Sequence, residues 1–446
     1  MTSPVDALAR WFDERLRLAS PSSKYLRKAF PSHWTFLLGE IAMFSLVVLL
    51  FTGTFLALFY TPDSRTLIYD GPYAPLQGTE VSAAFDSTMR LSFEVRAGLV
   101  MRQIHHWAAL VFVGAIVLHM LRVFFTGAFR KPRELNWVIG IVLLLLALGA
   151  GFTGYSLPDD LLSGTGLRIA YSVLLSIPLL GPLLGFITLG GEFPGTDVLG
   201  RLHLMHVLLI PAGLVAMLTA HLVILFRQRH TQKPGPGRTE RNVVGEPLFP
   251  TQAMVSLSLF AFVIAVLSLL GGLFEINPVW LYGPYEPFAV FAPAQPDWYI
   301  GWLEGLLRLW PAWEFTLFGI TIPEPFLPGV VIPGMLFTLI GAWPWIEQRY
   351  ITKDDAEHHL LQRIRDVPQR AAVGATGVTF ALVIFVAGSN DVLAADWGVS
   401  LNALTNVFRA SAVFLPLLAG LATYRIADRL NSRPSSPTPE SQAAPP

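Results

Sequence analysis

Two stretches of the chain decide its fold: residues 101–122 are MRQIHHWAALVFVGAIVLHMLR, and residues 200–221 are GRLHLMHVLLIPAGLVAMLTAH. Each is long enough to cross the hydrocarbon core of a bilayer, which takes about 20 predominantly apolar residues. Each nevertheless carries histidine near both of its ends. Because an ionisable side chain inside a membrane is costly, these histidines are candidates for function.

The composition of the whole chain is typical of a protein that crosses the membrane many times. It has 446 residues, of which 53% are hydrophobic and only 14% are charged, whereas soluble domains average about 25% charged residues. The net charge of zero gives no support to a nucleic-acid partner. The absence of cysteine excludes disulfides, zinc fingers, iron–sulfur clusters and thioether-linked haem, so a metal would be held by His, Met, Asp or Glu.

Apolar runs of membrane-spanning length occur eight times, and we name them spans A to H. They lie at about 34–60, 98–126, 136–156, 202–227, 252–275, 328–347, 371–389 and 404–425. The expected fold is therefore an all-α membrane protein with eight transmembrane helices, the first four forming a bundle. Two long connections, 157–200 and 276–327, are rich in Pro, Gly and Trp. We expect them to carry function, because ordered loops of that length usually do.

The basic residues predict the orientation in the membrane. Most of the 31 Lys and Arg fall in the N-terminal segment, in the B–C, D–E and F–G connections and after span H. Since positive charge is retained in the cytoplasm, both termini are expected there, as an even number of spans requires. Residues 5–18 place apolar groups at helical spacing between charged ones, which predicts an amphipathic helix on the membrane surface. The tail 431–446 is polar and rich in Pro and Ser, which predicts disorder.

The spacing of the histidines indicates which of them act together. A helix turns about 100° and rises about 1.5 Å per residue, so His105 and His119 lie on nearly one face, about 21 Å apart. On span D, His206 lies about 22 Å from His221, whereas His203 shares the face of His221 better but lies about 27 Å away. Matching depth favours His206 and predicts two pairs, His105 with His206 and His119 with His221.

Two histidines of these spans are left without a predicted partner. His106 falls on nearly the opposite face from His119, and His203 lies at the wrong depth, so both are interpreted as bystanders. A lone histidine in a membrane more often hydrogen-bonds a neighbouring helix than binds a metal. That alternative stays open for each histidine taken singly.

Glycines repeat at the period of the histidines. Gly39 and Gly53 on span A, and Gly140 and Gly154 on span C, are each 14 residues apart. Because glycine lets a flat ring approach the backbone closely, the two pairs would make room for two stacked macrocycles. Small residues also serve simply to pack helices, but the shared period favours two non-covalent b-type haems, each held between two imidazoles.

Basic residues stand where haem propionates would need them. Arg102 precedes His105 by three residues and Arg122 follows His119 by three, so each lies on the side of its histidine and nearer to the water. The alternative is the ordinary snorkelling of a helix-end arginine. Arg201 is a third candidate.

These residues resemble cytochrome b of the bc1 and b6f quinol oxidoreductases over about residues 30–430. The resemblance is carried by the four histidines, the four glycines, Gly-Tyr-Ser-Leu-Pro at 154–158 and Pro-Asp-Trp-Tyr at 296–299, where the family has Pro-Glu-Trp-Tyr. The amino-acid sequences of residues 154–168 and 230–250 look most like the actinobacterial type, which implies menaquinol as substrate. The 15-residue histidine spacing of span D is like that of b6, whereas the single eight-span chain is like bc1.

The resemblance implies an activity, that of a quinol–cytochrome c reductase subunit in a bacterial plasma membrane. Quinol would be oxidised near the outer face, with one electron passing to a Rieske iron–sulfur protein and the other crossing two haems to an inner quinone site. Protons would be released outside. By this resemblance His105 and His206 would hold the low-potential haem, and His119 and His221 the high-potential haem. A cytochrome c-type subunit, a dimer of the complex, a terminal oxidase and membrane lipid are the further partners implied.

The resemblance also implies the residues of the outer quinol site. A quinol loses protons as it loses electrons, so its site needs a base at hydrogen-bond reach. Asp297 takes the position of the family's glutamate, and Tyr155, Tyr299 and Gly166 match positions that line the pocket. The alternatives are a loop-capping role for Asp297 and an interfacial aromatic belt for the two tyrosines.

The inner quinone site is marked by no comparable motif. His230, Glu246, Gln252 and Trp34 are candidates by their place at the inner ends of spans A, D and E. An interpretation of these residues as parts of solvated loops is equally open.

Four regions follow from these patterns, and two other functions stay open. The regions are a cytoplasmic amphipathic segment at 1–32, the dihaem bundle at 33–230, a C-terminal four-span part at 231–430 and the tail at 431–446. A proton-coupled transporter with a histidine relay would need no haem. A dihaem membrane anchor of a dehydrogenase would explain the histidines but neither residues 296–299 nor spans F to H.

Overall fold

A computed structural model describes residues 11, 13–15, 26–289 and 295–432. Most of the predicted surface helix at 5–18 and nearly all of the predicted tail at 431–446 lie outside the described residues. Within them, eight helices are long and apolar enough to cross a membrane, which confirms the predicted fold class. Spans A to H are Leu38–Ala57, Gly98–Phe125, Glu134–Tyr155, Val198–Gln228, Leu248–Leu273, Leu327–Thr352, Pro368–Ala387 and Leu401–Asn431.

Several spans extend further than the apolar runs indicated. Span D begins at Val198, span F runs on to Thr352, and span H reaches Asn431. These extra turns carry polar and charged residues, because a helix continues into the water beyond the apolar part that hydropathy detects.

Among the described residues, six shorter α-helices lie between the spans. We number them α1 to α6 in chain order: Ala83–Phe93, Leu161–Leu175, Gly181–Leu189, Val279–Tyr282, Trp298–Leu309 and Asn390–Trp397. The connection 157–200 is therefore largely helical. The first turns of α1 and α2 are capped by side chains: Ser82 Oγ accepts from Phe85 N at 3.1 Å, and Asp160 and Ser163 form a reciprocal capping box.

Three antiparallel two-stranded ribbons complete the described secondary structure. Strands β1 to β6 are Ala29–Phe30, Thr66–Ile68, Glu80–Ser82, Glu246–Pro247, Phe315–Leu317 and Ile320–Ile322, and they pair as β1 with β4, β2 with β3 and β5 with β6. The β1–β4 ribbon ties the start of span A to the start of span E on one side of the molecule.

The first four spans enclose an apolar core. Span A lies against span B, and span C against span D. Between the two levels of histidine, the core is filled by Leu46, Phe112, Leu144 and Leu214, one from each of the four spans. An apolar layer thus separates the upper and lower ends of the bundle.

Helix α5 carries the Pro-Asp-Trp-Tyr stretch to the edge of this bundle. It packs so closely on span G that a Cβ on Gly305 would lie 1.7 Å from the Ile384 carbonyl oxygen. Its first turn reaches the other way, because a Cβ on Gly151 of span C would lie 2.7 Å from the Tyr299 hydroxyl. Glycines at both contacts therefore fix the position of α5.

Candidate functional site

The four predicted histidines meet in two pairs at two levels of the bundle. The ring centroids of His105 and His206 are 6.1 Å apart, with the ring planes at 74°. Those of His119 and His221 are 6.5 Å apart, at 71°. Each pair joins span B to span D. The depth argument for His206 over His203 thus agrees with the geometry, since the His203 ring lies against Tyr60 instead, at 5.5 Å.

The separation of each pair fits two imidazoles bound to one metal. A metal–imidazole bond of about 2 Å on each side, added to about 1 Å from nitrogen to ring centre, sets two such rings about 6 Å apart. In the described part of the chain, no group of three or more His, Cys, Asp or Glu is arranged to hold an ion. Two protein ligands without a third suit a metal whose remaining ligands come from a macrocycle, and this is the donor set of a bis-histidine haem.

A local irregularity explains the unequal histidine spacing of the two spans. Span D has a π-helical turn at Met205–Leu209, in which Ile210 N donates to the Met205 carbonyl. Such a turn takes one residue more than an α-helical turn. The 15 residues from His206 to His221 therefore rotate about as far as the 14 residues from His105 to His119. The ideal-helix estimate favoured the face of His203 because it could not include this turn.

The second nitrogen of each histidine is treated differently at the two levels. At the outer level, His105 Nδ1 lies 2.9 Å from Thr52 Oγ1, and His206 Nδ1 lies 3.0 Å from the Ala150 carbonyl oxygen. These contacts place the proton on Nδ1 and leave Nε2 as the metal-facing atom. At the inner level, neither His119 Nδ1 nor His221 Nδ1 has a hydrogen-bond partner among the described residues.

Three of the four predicted glycines lie directly against these rings. A Cβ on Gly39 would lie 3.3 Å from His119 Cε1, one on Gly53 would lie 3.1 Å from His105 Cε1, and one on Gly154 would lie 2.4 Å from His206 Cε1. A Cβ on Gly140 would meet nothing within 4 Å. The glycines thus keep space for the imidazoles on one side, and at Gly140 the space itself is open.

Two of the three candidate arginines have buried nitrogens in need of a partner. Arg102 donates one bond to the Asn277 carbonyl at 3.2 Å, and Arg122 lies over the Phe36 ring at 4.1 Å. In both, Nε and Nη2 are buried and without a partner among the described residues, which suits an anionic group such as a propionate. Arg201 instead donates to the carbonyls of Phe186 and Ile187.

Asp297 lies among hydrogen-bond donors at the outer end of the bundle. His106 Nε2 is 2.8 and 3.0 Å from its two oxygens, the Tyr299 hydroxyl donates to it at 3.1 Å, and Asn277 Nδ2 lies 3.4 Å away. Burial and the neighbouring Asp297 raise the pKa of Tyr299 well above its ordinary value, so this phenol stays a neutral donor. The alternative of a loop-capping role for Asp297 is not seen, because the Asp297 side chain makes no capping hydrogen bond to α5.

Sequence reasoning missed the role of His106. It was interpreted as a bystander because its spacing from His119 is wrong, yet it contacts a residue 191 positions away. The doubled histidine at 105–106 was the available signal: consecutive helical residues face about 100° apart, so one can serve the bundle while the other serves a loop.

The remaining predicted residues of the outer site also come together. A Cβ on Gly166 would lie 3.2 Å from the Tyr155 ring, and the Tyr155 hydroxyl donates to the Leu162 carbonyl at 3.2 Å. Beside them, burial raises the pKa of Asp160 to about 6, against the hydrogen bonds from Ser163 and the charge of Arg102.

The four inner candidates are not brought together. His230 lies against Phe30 at 4.6 Å and lines a cavity of about 200 Å³ with Lys28 and Arg229. Burial, with the charge of Arg133, lowers the pKa of His230 to about 4. Glu246 is exposed in β4, where it pairs with Phe30, while Gln252 Nε2 donates to Glu40 at 3.3 Å and Trp34 is 69% exposed.

Comparison with known proteins places this geometry in a family. Residues 110–284 match the family described as "Cytochrome b(N-terminal)/b6/petB". Relatives named cytochrome bc1 complex cytochrome b subunit are 50% identical over 424 residues in Mycobacterium leprae and 44% identical over 432 residues in Streptomyces coelicolor. These alignments cover 94% and 96% of this chain, and 77% and 78% of the relatives.

A solved structure supports the fold independently. The chain superposes on one from a hyperthermophilic respiratory Complex III with a TM-score of 0.67, covering 94% of this chain and 99% of that one, at 20% sequence identity. Membership of this family implies haem binding. The chain therefore belongs to the cytochrome b family and is a respiratory, multi-pass cytochrome b subunit of a bc1 complex, an oxidoreductase.

Proposed function

We propose that this subunit oxidises quinol near the outer end of spans B and C and passes one electron inward through two b-type haems to a quinone site near the cytoplasm. When bound, the haems carry single electrons across the apolar layer of the bundle. The observation that carries the proposal is the stacking of two histidine pairs, 6.1 and 6.5 Å between ring centroids, one level above the other.

The chain's own residues hold each haem in this proposal. His105 and His206 bind the outer, low-potential haem, and His119 and His221 bind the inner, high-potential haem. Gly39, Gly53, Gly140 and Gly154 leave room beside the rings and the macrocycles. The Nε and Nη2 atoms of Arg102 and Arg122 would meet propionate oxygens, which would account for the burial of these four nitrogens without an acceptor among the described residues.

Asp297 is the proton acceptor of the outer site in this proposal, with Tyr155, Tyr299 and Gly166 lining the pocket. The Asp297 side chain is one methylene shorter than the glutamate that the family has at this position. Neighbouring residues must therefore hold its carboxylate in place. His106 donates to it from span B and Asn277 from the E–F connection, which support this carboxylate from two elements at once. The Tyr299 hydroxyl, held against Gly151, closes the third side.

We propose the partner subunits, the orientation in the membrane and the substrate from the resemblance to relatives and from the charge distribution. A Rieske iron–sulfur protein and a cytochrome c-type subunit take the electrons that leave outside, because this cysteine-free chain can hold neither centre. We place both termini in the cytoplasm of a bacterium, on the positive-inside rule. The resemblance to the actinobacterial type is our reason for proposing menaquinol as substrate, a dimer of the complex and a terminal oxidase as further partner.

Residues 33–230 form the haem-holding unit in this proposal, and residues 231–430 complete the outer site through Asn277 and Asp297. The segments 1–32 and 431–446 flank these two parts on the cytoplasmic side in this proposal. A proton-coupled transporter would not explain two paired imidazoles at matched depth. A dihaem membrane anchor would not explain the polar cluster around Asp297.

The test is a haem and activity measurement on the purified complex that contains this chain. Reduced-minus-oxidised spectra and haem extraction should give two non-covalent b-type haems per chain, titrating at two potentials. Quinol oxidation should appear once the partner subunits are present. A complex without b-type haem would overturn the proposal, and two haems without any quinol oxidation would favour the anchor function.

A further inference from the structure

Helix α5 carries a second buried carboxylate that the mechanism above does not use. Glu304 lies in α5 seven residues after Asp297, the N-cap residue of that helix, and a helical rise over this separation corresponds to about 10 Å. The Glu304 side chain is 11% exposed and that of Asp297 12%. Burial to this degree is costly for a carboxylate unless it is fully paired.

The pairing of Glu304 is incomplete. Its Oε1 accepts from Arg308 Nη2, while its Oε2 is buried without a partner among the described residues. Arg308 is shared, because its Nη1 also donates to Asn390 Oδ1 at 2.9 Å and lies 2.5 Å from Asp391 Oδ1. One guanidinium therefore serves two carboxylates, and one oxygen of Glu304 is left over.

The same chain shows what a structural ion pair looks like. Glu347 and Arg370 are almost completely buried at the opposite end of the molecule. There Oε2 accepts from Arg370 Nε at 2.7 Å and from Trp343 Nε1 at 2.9 Å, and Oε1 accepts from Arg370 Nη2. Both oxygens are satisfied, as a buried carboxylate requires when its only task is stability. Glu304 departs from this pattern.

The surroundings of Glu304 favour a bound proton. Burial raises the pKa of the Glu304 carboxyl, and the charge of Arg308 offsets only part of this. Its neighbours from other elements are Asp391 and Asn390 of α6 and, at electrostatic range, Tyr155 of span C, which also feels Asp297 and Asp160. Glu304 thus belongs to the ring of groups around the outer site.

We propose that Glu304 is a second proton-accepting carboxylate of the outer quinol site, an inference that rests on the function proposed above. Quinol has two hydroxyl groups, and Asp297 accepts the proton of one. The O–H bond of the other breaks as a new O–H bond forms at Glu304 Oε2, while the electrons leave to the acceptors of the complex. Arg308 does not relay the proton, because a guanidinium stays protonated. Its positive charge stabilises the Glu304 carboxylate.

The side chains next to Glu304 become more exposed toward the outer side. Exposure of the side chains rises from 11% at Glu304 to 23% at Arg308 and 28% at Asp391, in the direction of the G–H connection. In this proposal a proton leaves Glu304 toward Asp391, which shares Arg308 with it and is the most exposed of the three. Asp297 and Glu304 together would account for both protons of the substrate.

The experiment compares Glu304→Gln with Glu347→Gln in the intact complex, measuring quinol oxidation from pH 6 to 9 together with the haem spectrum. Glutamine keeps a hydrogen bond to arginine but cannot accept a proton. We expect Glu304→Gln to lower kcat at least tenfold with KM changed less than about twofold and both haems retained. The wild-type rate should rise with pH as the carboxyl deprotonates, and Glu304→Gln should lose this rise. Glu304→Asp should recover part of the rate, and Glu347→Gln should leave the pH profile unchanged.

An assembled Glu304→Gln complex with wild-type kcat and pH profile would overturn the inference. Should that variant fail to assemble, Asp391→Asn gives an independent answer, because it frees Arg308 to stabilise the Glu304 carboxylate. The rise in rate should then begin at lower pH, and an unmoved rise would refute the role of Glu304. A wild-type complex that does not oxidise quinol at all would instead refute the function on which the inference rests.

Discussion

The outer and inner histidine pairs have nearly the same geometry but different support. Both bridge spans B and D at ring separations close to 6 Å. The outer pair is held by Thr52 and the Ala150 carbonyl, whereas both inner Nδ1 atoms lack a hydrogen-bond partner in the part of the chain that the structure describes. The outer rings are thus oriented by close hydrogen bonds, whereas at the inner level the backbone of Asn136 interacts with His221 without such a bond to Nδ1.

The positions of the histidine ligands and the donor strengths of their imidazoles are therefore set separately. A hydrogen bond from Nδ1 to an oxygen fixes the ring and makes the imidazole a stronger donor, which lowers the potential of a bound iron. The better-supported outer pair is the one assigned to the low-potential haem. Under the proposed function, this difference in support would give the two haems different potentials.

The largest expected effect comes from removing one outer ligand. His206→Ala should lose the outer haem, about half of the b-type absorbance, and with it quinol oxidation. His203→Ala, one turn away, should keep both haems, because its ring lies against Tyr60. Haem extraction and reduced spectra measure this. Loss of a haem in His203→Ala but not in His206→Ala would reverse the assignment.

The next largest effect separates the two glycines of span C. Gly154→Ala places a Cβ 2.4 Å from His206 Cε1 and should lower the outer haem content by at least half. Gly140→Ala meets no protein atom within 4 Å, so any loss of the inner haem in this variant reports a macrocycle in that space. Gly377→Ala on span G, equally free of contacts, is the control for helix propensity. Unchanged haem content in both span C variants would contradict the proposed cofactor positions.

A smaller effect tests the hydrogen bond to His105. Thr52→Val keeps the side-chain shape but removes the oxygen that accepts from Nδ1. The potential of the outer haem should rise by tens of mV, about 60 mV for each tenfold change in relative affinity, while the inner potential stays fixed. Redox titration followed optically resolves the two haems. Equal shifts of both would mean that the change acts through the whole bundle.

The smallest effect concerns the titratable groups at the two ends. The folded pKa of His230 is about 4, below its ordinary 6.5, so the stability linked to it is present above pH 6.5 and is lost as pH falls toward 4. The folded pKa of Asp160 is about 6, above its ordinary 3.8, so its contribution is present below pH 3.8 and is lost as pH rises through 6. Hydrogen exchange should therefore speed up near 226–232 at pH 5 and near 158–164 at pH 8, each relative to the other end. The variants His230→Gln and Asp160→Asn should remove the respective trend.

Much of the fold could be predicted because its signals are local. Span length and apolarity gave all eight helices, and helical rise and rotation gave the depth at which His105, His119, His206 and His221 lie. The helix ends were less accurate, because polar turns beyond the membrane leave no mark in hydropathy. The inner candidates stay a prediction: Glu246 pairs with Phe30, which His230 contacts, whereas Gln252 donates to Glu40.

The histidine period and the hydropathy of the spans place the proposed haem ligands at two levels, because both signals act through the covalent chain. Only the tertiary structure decided which neighbour each of them meets. The π-helical turn at Met205–Leu209 corrects the register of span D, and the contact of His106 with Asp297 joins residues 191 apart. The shared guanidinium of Arg308 likewise links α5 to α6. Such contacts depend on how helices pack against one another, and no pattern within a single helix encodes them.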